Sequence, residues 1–307
     1  MLTYAQLVLA MLLYGVSFVS TKIALAALGP VTILAVRLAL SAAFLVVLDR
    51  VLPTTRRPGD LRAGEQPLRW PLRSDAGAIL LVTIFQPLLY FLAENIGLQF
   101  VSASIASILI ATIPVFTPVF ARPFLGERIR PLTIVGLGLS LVGVAAIVLE
   151  RRMNAQFTPL GLVLIFVAVL AAVGYSIAVK QVSPRYRPLT IVKMQSLVGL
   201  PIILVLALVF EGIPTVIPDP VVLGHLLFLG IFPSSLAFVF LSTGIRAIGA
   251  SRANVFVNLV PAFTAFVAWL LLDERFTAQK IAGMVIVVAG VLAAQLGQLR
   301  ARRAIRR

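Results

Sequence analysis

Ten stretches of this chain run for about twenty residues each on apolar side chains, broken only by proline, glycine or charge. They cover 5–24, 31–49, 77–98, 103–124, 131–150, 159–180, 189–210, 221–243, 251–272 and 278–298. Crossing ~30 Å of hydrocarbon takes roughly 20 residues of α-helix, so each stretch has spanning length. In lipid the backbone must satisfy its own hydrogen bonds, which leaves helices or closed barrels. Barrel strands are short and alternate in polarity, whereas these runs are long and uniformly apolar. The expected fold is an all-α polytopic membrane protein with ten transmembrane helices. Composition agrees: 60% of residues are hydrophobic, 12% are charged and mean hydropathy is +1.07. Soluble domains run at about 45–50% and 25%, so a soluble globular enzyme is excluded.

Cysteine is absent, which removes disulfides, thiolate metal sites and cysteine nucleophiles. His225 is the one histidine, so a multi-histidine metal site is excluded as well. A net charge of +15 would suit nucleic acid, but the basic residues sit between apolar runs and at the end of the chain. That placement is a topology signal. With the tail 299–307 in the cytoplasm, 20 of the 26 basic residues fall on the inside and five on the outside, with Arg37 within a span. Ten spans then put both termini in the cytoplasm of a cell whose inner membrane holds the chain. The start lacks a basic n-region and a clear cleavage site, so it is expected to remain as the first span. Loop 50–76 carries four prolines and six arginines and is expected to be a solvated cytoplasmic linker.

The strongest pattern is internal repetition. Residues 84–150 lie on 231–297 at a shift of 147 without a gap, with 21 identities in 67 positions. Ile113-Pro-Val-Phe-Thr117 falls on Val260-Pro-Ala-Phe-Thr264, and Gly126-Glu-Arg128 on Asp273-Glu-Arg275. Gly136 and Gly143 fall on Gly283 and Gly290. Earlier residues match more loosely, as Gly15-x-Ser17 with Gly174-x-Ser176 and Pro30-x-Thr32 with Pro188-x-Thr190. The domains expected are a first repeat over 1–151, a second over 152–298 and a basic tail. Five spans per repeat is odd, so the second enters the membrane inverted, an arrangement common among secondary transporters.

These residues resemble a known family. Phe91-Leu-Ala-Glu-Asn-Ile-Gly-Leu98 followed by Ser102-Ala-Ser104 resembles the third-span signature of the drug/metabolite transporter superfamily, in its EamA-domain branch. Ile113-Pro-Val-Phe with Phe124-Leu-Gly-Glu-Arg128 resembles the end of its fourth span, and Val260-Pro-Ala-Phe with Leu271-Leu-Asp-Glu-Arg275 repeats it. Tyr14-Gly-Val-Ser-Phe-Val-Ser-Thr-Lys22 resembles the first-span start. Asp273 departs from the usual glycine, which alters a turn. The resemblance covers nearly the whole chain. It implies ten spans, two EamA repeats and carriage of small metabolites or drugs, often outward.

Ionisable groups within spans are costly and mark function by default. Glu94 in span three and Arg37 in span two lie at similar depth, so they are read as cavity-facing partners or anchors for a charged substrate. A structural ion pair, or Arg37 reaching the surface along its aliphatic stem, is the alternative. Tyr14, Ser17, Tyr90, Asn95, Tyr175, Ser176, Asn254 and Asn258 are further cavity candidates, against a packing role for the two serines. Pro114 and Pro261 are candidate hinges, each removing a helix hydrogen bond. The paired glycines are expected to let spans five and ten pack closely.

No protease constellation, nucleotide loop or selectivity filter is visible. The expected function is a secondary transporter of a small metabolite or drug-like molecule, working by alternating access and exporting its cargo. A lipid or lipid-linked group flippase of similar architecture is the alternative. No cofactor, metal or catalytic residue is expected, with proton coupling through Glu94 as an option. The expected partners are a small-molecule substrate and the bilayer, not nucleic acid. The sequence sets neither a monomer nor a homodimer.

Overall fold

Prolines fix where many of the helices begin. In the computed structural model the described residues are 2–51, 73–125, 131–148, 158–213, 218–272, 277–279, 281–283, 285–286, 288–290 and 293. They form α1 (Leu2–Ala24), α2 (Pro30–Val51), α3 (Ala76–Thr83), α4 (Tyr90–Gly97), α5 (Ala103–Ile110), α6 (Ile113–Leu125) and α7 (Pro131–Val148). After these come α8 (Pro159–Val182), α9 (Pro188–Phe210), α10 (Pro220–Ile231), α11 (Phe238–Ile248), α12 (Ala250–Asn254) and α13 (Val260–Leu272). Five of these helices start on proline, whose missing N–H costs nothing in the first turn. The side chains of Ser102, Thr158 and Asp219 cap α5, α8 and α10 by accepting from the N–H groups of Ile105, Gly161 and Val221.

The described residues are helical with no β-strand among them, and eight helical stretches are long and apolar enough to cross a membrane. The protein is therefore an all-α, multi-pass membrane protein. Helix α7 has 18 residues. Most of loop 50–76, the Gly126-Glu-Arg128 and Asp273-Glu-Arg275 motifs, much of the stretch 278–298 and the tail lie outside the described residues. Gly136, Gly143, Gly283 and Gly290 are all buried.

Four of the stretches are interrupted. Between α3 and α4 a wide π-helical turn spans Ile84–Leu89, contains Pro87 and carries Gln86 out of helical geometry (φ −155°, ψ 124°). A second wide turn, Phe232–Ala237 with Pro233, joins α10 to α11. Between α5 and α6 the helix breaks at Ala111-Thr112, and Pro114 is the second residue of the new helix. Between α12 and α13 a 3₁₀ stretch, Val255–Leu259, intervenes and Pro261 is again second. Proline cannot donate to the preceding turn, so the break falls upstream of it.

The helices pack in matched pairs. Helix α2 runs along α9, α1 lies against α13 and α11, and α8 lies against α6 and α4. Gly97 faces Ile165, and Gly244 faces Leu7, at places where a Cβ would come within 2.8 Å and 2.5 Å of those side chains. Small residues let helices approach this closely, which is how bundles cohere in lipid. Lys22 donates to the carbonyls of Leu98 and Val101 at the end of α4, and Lys180 to those of Ile245 and Arg246 at the end of α11. Both lysines satisfy carbonyls that a helix end leaves open.

Ends that the charge bias assigns to one side also meet. At the ends expected to face outward, Glu211 accepts from the N–H groups of Val31 and Thr32 at 2.9 and 2.8 Å, capping α2. At the opposite ends, expected to face the cytoplasm, Lys193 bonds Asp49 at 2.6 Å, and Arg185 and Tyr186 both donate to Asp75.

Candidate functional site

A cluster of aromatic rings occupies the middle of the bundle. Phe238 on α11 is touched edge-on by Tyr14 of α1, Phe91 of α4 and Tyr175 of α8, with centroids 5.5, 5.7 and 5.7 Å away. Tyr90 meets Phe91 at 5.2 Å. Edge-to-face pairs of this kind set a rigid wall that is apolar but carries hydroxyls at its rim. Tyr175 shares a hydrogen bond of 3.2 Å with Ser242, while the Tyr14 hydroxyl meets no protein partner.

Arg37 enters this cluster from α2. It is 0% exposed, its guanidinium carbon stands 3.9 Å from the centre of the Phe91 ring, and Nε donates to Ser234 Oγ at 3.1 Å. Nη1 and Nη2 are buried and meet no protein acceptor. Ser234 lies in the wide turn between α10 and α11. The next residue, Ser235, bonds Ser41 at 2.9 Å, and Ser41 shares a bond of 3.0 Å with Ser196 of α9. The turn is thereby docked onto both α2 and α9. Glu94 is buried on α4 and accepts from the Tyr90 hydroxyl at 3.2 Å. Arg37 and Glu94 share the central region but do not form an ion pair; the ion pairs among the described residues are Asp75–Arg185 and Asp49–Lys193.

A small cavity of about 40 Å³ opens beside the rings, with room for a few water molecules. Of the residues singled out from sequence, Tyr14, Tyr90, Tyr175, Ser176 and Asn254 line it. Asn254 donates to Ser176 and to Thr117, both at 2.9 Å, so it ties α12 to α8 and α6. The others sit off the wall. Ser17 donates back to the Tyr14 carbonyl at 2.7 Å. Asn95 is one residue further round α4 than Glu94 and donates to the Pro30 carbonyl at 3.0 Å, holding the start of α2. Asn258 is buried in the 3₁₀ stretch before α13. Pro114 and Pro261 head α6 and α13.

Sequence reasoning passed over Gln86, which the wide turn brings to the cavity, and also Phe91 and Phe238 of the ring cluster and Gln195, which bonds Tyr175. The signal for the last three was present. Phe91 and Phe238 are identical at the repeat shift of 147. Pro30, Thr32 and Ile33 match Pro188, Thr190 and Ile191 at a shift of 158, which puts Arg37 on Gln195. Among the described residues no three His, Asp or Glu side chains gather as metal ligands.

A second, larger space of about 400 Å³ lies between the first wide turn, α6 and α8, among Leu81, Phe85, Phe120, Phe124, Leu170 and Gln181. Its walls are almost wholly apolar, and Leu81, Phe120, Phe124 and Leu170 are exposed at the outer face of the bundle.

Comparison with known proteins gives consistent matches. The model of the EamA-like transporter family matches residues 1–149 and 159–294. An "Uncharacterized transporter" of Archaeoglobus fulgidus is 25% identical over 286 residues, covering 93% of this chain and 95% of its own. "Uncharacterized transporter YcxC" of Bacillus subtilis is 27% identical over 304 residues, covering 95% and 92%. A "Probable terminal-alkyne amino-acid exporter" of Streptantibioticus cattleyicolor is 28% identical over 247 residues, covering 79% and 81%. A solved crystal structure of 17% identity has the same fold, with a TM-score of 0.73 over 98% of each chain.

Proposed function

The chain belongs to the EamA-like transporter family, and on that premise we propose that it carries a small metabolite or drug-like molecule outward across the bacterial inner membrane by alternating access. It is a membrane transporter and not an enzyme. Alternating access needs two halves that can rock about a shared site. The observation that carries the proposal is that contacts are exchanged between the halves. Leu7 packs on Gly244 and Ile165 on Gly97, with Leu7 and Ile165 related by 158 positions and the glycines by 147. Lys22 and Lys180, also 158 apart, hold Leu98 and Ile245, also 147 apart.

This exchange supports two five-span repeats of opposite orientation, ten spans in all, and the bias of basic residues supports both termini in the cytoplasm. Substrate in such proteins binds near the midplane between repeats, and the buried ring cluster around Phe238, with Arg37 beside it, is our candidate for that region. The breaks before Pro114 and Pro261 supply one bending point in each half. Glu94 is the candidate for proton coupling, and neither ATP nor a cofactor is called for. Outward transport draws on the exporter among the relatives. An untargeted comparison of metabolites in the medium of deletion and overexpression strains tests this, with one or more compounds changing in opposite directions. No change in any compound would sink the transport reading.

One observation favours a second reading, movement of a lipid or lipid-linked group. The 400 Å³ apolar space opens toward the lipid-facing surface and is large enough for part of an acyl chain. Proteoliposomes separate the two: labelled solute uptake without transbilayer movement of fluorescent lipid supports the solute carrier, and the reverse supports the flippase.

A further inference from the structure

We propose that Arg37 is the carboxylate anchor of the central site, so that the solutes this protein carries are small organic carboxylates. The inference rests on the carrier reading and adds the chemical class of its cargo. A guanidinium has five N–H donors in a fixed planar fork, and that fork matches the two oxygens of a carboxylate. In Arg37 the Nε donor is taken by Ser234 and one face is covered by Phe91. The edge formed by Nη1 and Nη2 meets no protein acceptor and is sealed from solvent. A buried charge with open donors is expensive to keep. The fold must hold it there for a purpose or need it for structure.

The second half of the chain decides between these. At the shift of 158 that aligns the starts of α2 and α9, Arg37 falls on Gln195, which is 2% exposed. The same buried station of the same helix is therefore filled by a neutral side chain in the other half. The scaffold does not need a cation there. The nearest internal carboxylate does not occupy those donors: Glu94 is bonded by Tyr90 and forms no direct ion pair with the guanidinium. The groups that do touch Arg37 are a neutral hydroxyl and an aromatic face, so its paired donors remain for an anionic ligand. Arg37 does not line the 40 Å³ cavity, which has room for only a few waters, so a ligand reaches those donors only when the halves part. The ring cluster around Phe238 suits a body that is apolar or aromatic behind the carboxylate.

The test uses purified full-length protein in detergent with 3-phenylpropanoate and its neutral isostere 3-phenylpropanamide, in a panel with aliphatic monocarboxylates. Binding is read as ligand-induced thermal stabilisation. Wild type is expected to be stabilised by carboxylates at concentrations at least about tenfold below those needed for the amide. Arg37→Gln, which copies the residue the other half tolerates, is expected to fold and to lose that preference. Arg37→Lys, which keeps the charge without the fork, is expected to fall between. Equal binding of acid and amide by wild type, unchanged carboxylate preference in Arg37→Gln, or no binding by any carboxylate of the panel would overturn the proposal. Counterflow in proteoliposomes is run beside it. Carriage of neutral solutes without carboxylate binding defeats the anchor and leaves the carrier. Arg37-dependent binding without any carriage defeats the carrier and leaves the anchor.

Discussion

Phe91 stands edge to face against Phe238, their centroids 5.7 Å apart and their planes at 89°, and the two are separated by the same 147 positions that superpose the two repeats. A residue that touches its own counterpart lies where the halves meet, so any rocking motion must pivot around or shear through this pair. Phe91 also carries Arg37 on its other contact face. Phe91→Leu should therefore cost about 1–3 kcal/mol, from one to two aromatic edges and a desolvated cation–π contact. In an Arg37→Gln background the same change should cost about 1 kcal/mol less, because the cation–π part is already gone. Thermal unfolding of the four proteins in one detergent gives the coupling; a coupling near zero would show that the stacking carries no energy.

The glycine contacts give a graded series. A Cβ on Gly15 would lie 2.5 Å from Phe263 Cβ and 3.0 Å from the Thr264 backbone N, neither of which can swing away. A Cβ on Gly244 or Gly97 would meet the methyl ends of Leu7 or Ile165, at 2.5 and 2.8 Å. Gly15→Ala should be the most damaging, by roughly 2–3 kcal/mol, and the other two milder and alike. Leu7→Ala should restore Gly244→Ala, and Ile165→Ala should restore Gly97→Ala. Failure of both rescues, with intact membrane insertion, would remove the matched packing as the cause.

Much of the fold was legible because lipid leaves the chain few choices. Spanning length and the proline at the first position of α2, α8, α9 and α10 placed these helices within a few residues of where they lie. The interruptions were legible only in part. Pro114 and Pro261 announced a bend, but proline disturbs the turn before it, so the breaks fall at Ala111-Thr112 and Val255–Leu259 instead. Pro87 and Pro233 gave the same signal for the wide turns and went unread. Among the site residues, polarity within a span marked Glu94 and Asn95 equally. Adjacent helical residues point about 100° apart, and that angle sends Glu94 toward Tyr90 and Asn95 to the Pro30 carbonyl. Apolar members of the site, Phe91 and Phe238, carry no polarity signal and emerge only from the repeat alignment combined with contact geometry.

Glu94 offers a direct test of proton coupling. Glu94→Gln keeps an acceptor for the Tyr90 hydroxyl and removes the only charge change the side chain can make. If Glu94 couples transport to protons, an imposed pH gradient should accelerate carriage of an identified cargo by wild type several-fold. Glu94→Gln should still exchange that cargo across equilibrated membranes and ignore the gradient. Equal gradient response in both proteins would reassign coupling to another group or to another ion.

The ion pair between Lys193 and Asp49 is 2.6 Å long with side chains 11% and 13% exposed. Breaking it from one side leaves a largely buried charge, so Asp49→Ala and Lys193→Ala should each cost roughly 3–5 kcal/mol. Asp49 sits in the last two turns of α2, where the macrodipole prefers a cation. The exchanged pair Asp49→Lys with Lys193→Asp should therefore recover most of the lost melting temperature, and neither single reversal should. A double exchange no better than the single changes would mean that packing, not charge, makes these positions sensitive.

Sidedness can be read without background, because the chain has no cysteine. Ile213, 76% exposed in the connection after α9, belongs to the side assigned as external, and exposed Pro184, between α8 and α9, to the cytoplasmic side. Ile213→Cys should react with a membrane-impermeant maleimide in intact cells and Pro184→Cys only after permeabilisation. One spanning helix, α9, separates these two positions, so opposite reactivity is required by the fold, and its direction fixes the orientation. Arg307→Cys then counts the spans beyond α9. Three further crossings return the chain to the cytoplasm, so Arg307→Cys should behave like Pro184→Cys. Labelling of Arg307→Cys in intact cells would make that number even. The second half could then not hold five crossings, and its inverted pairing with the first would be lost.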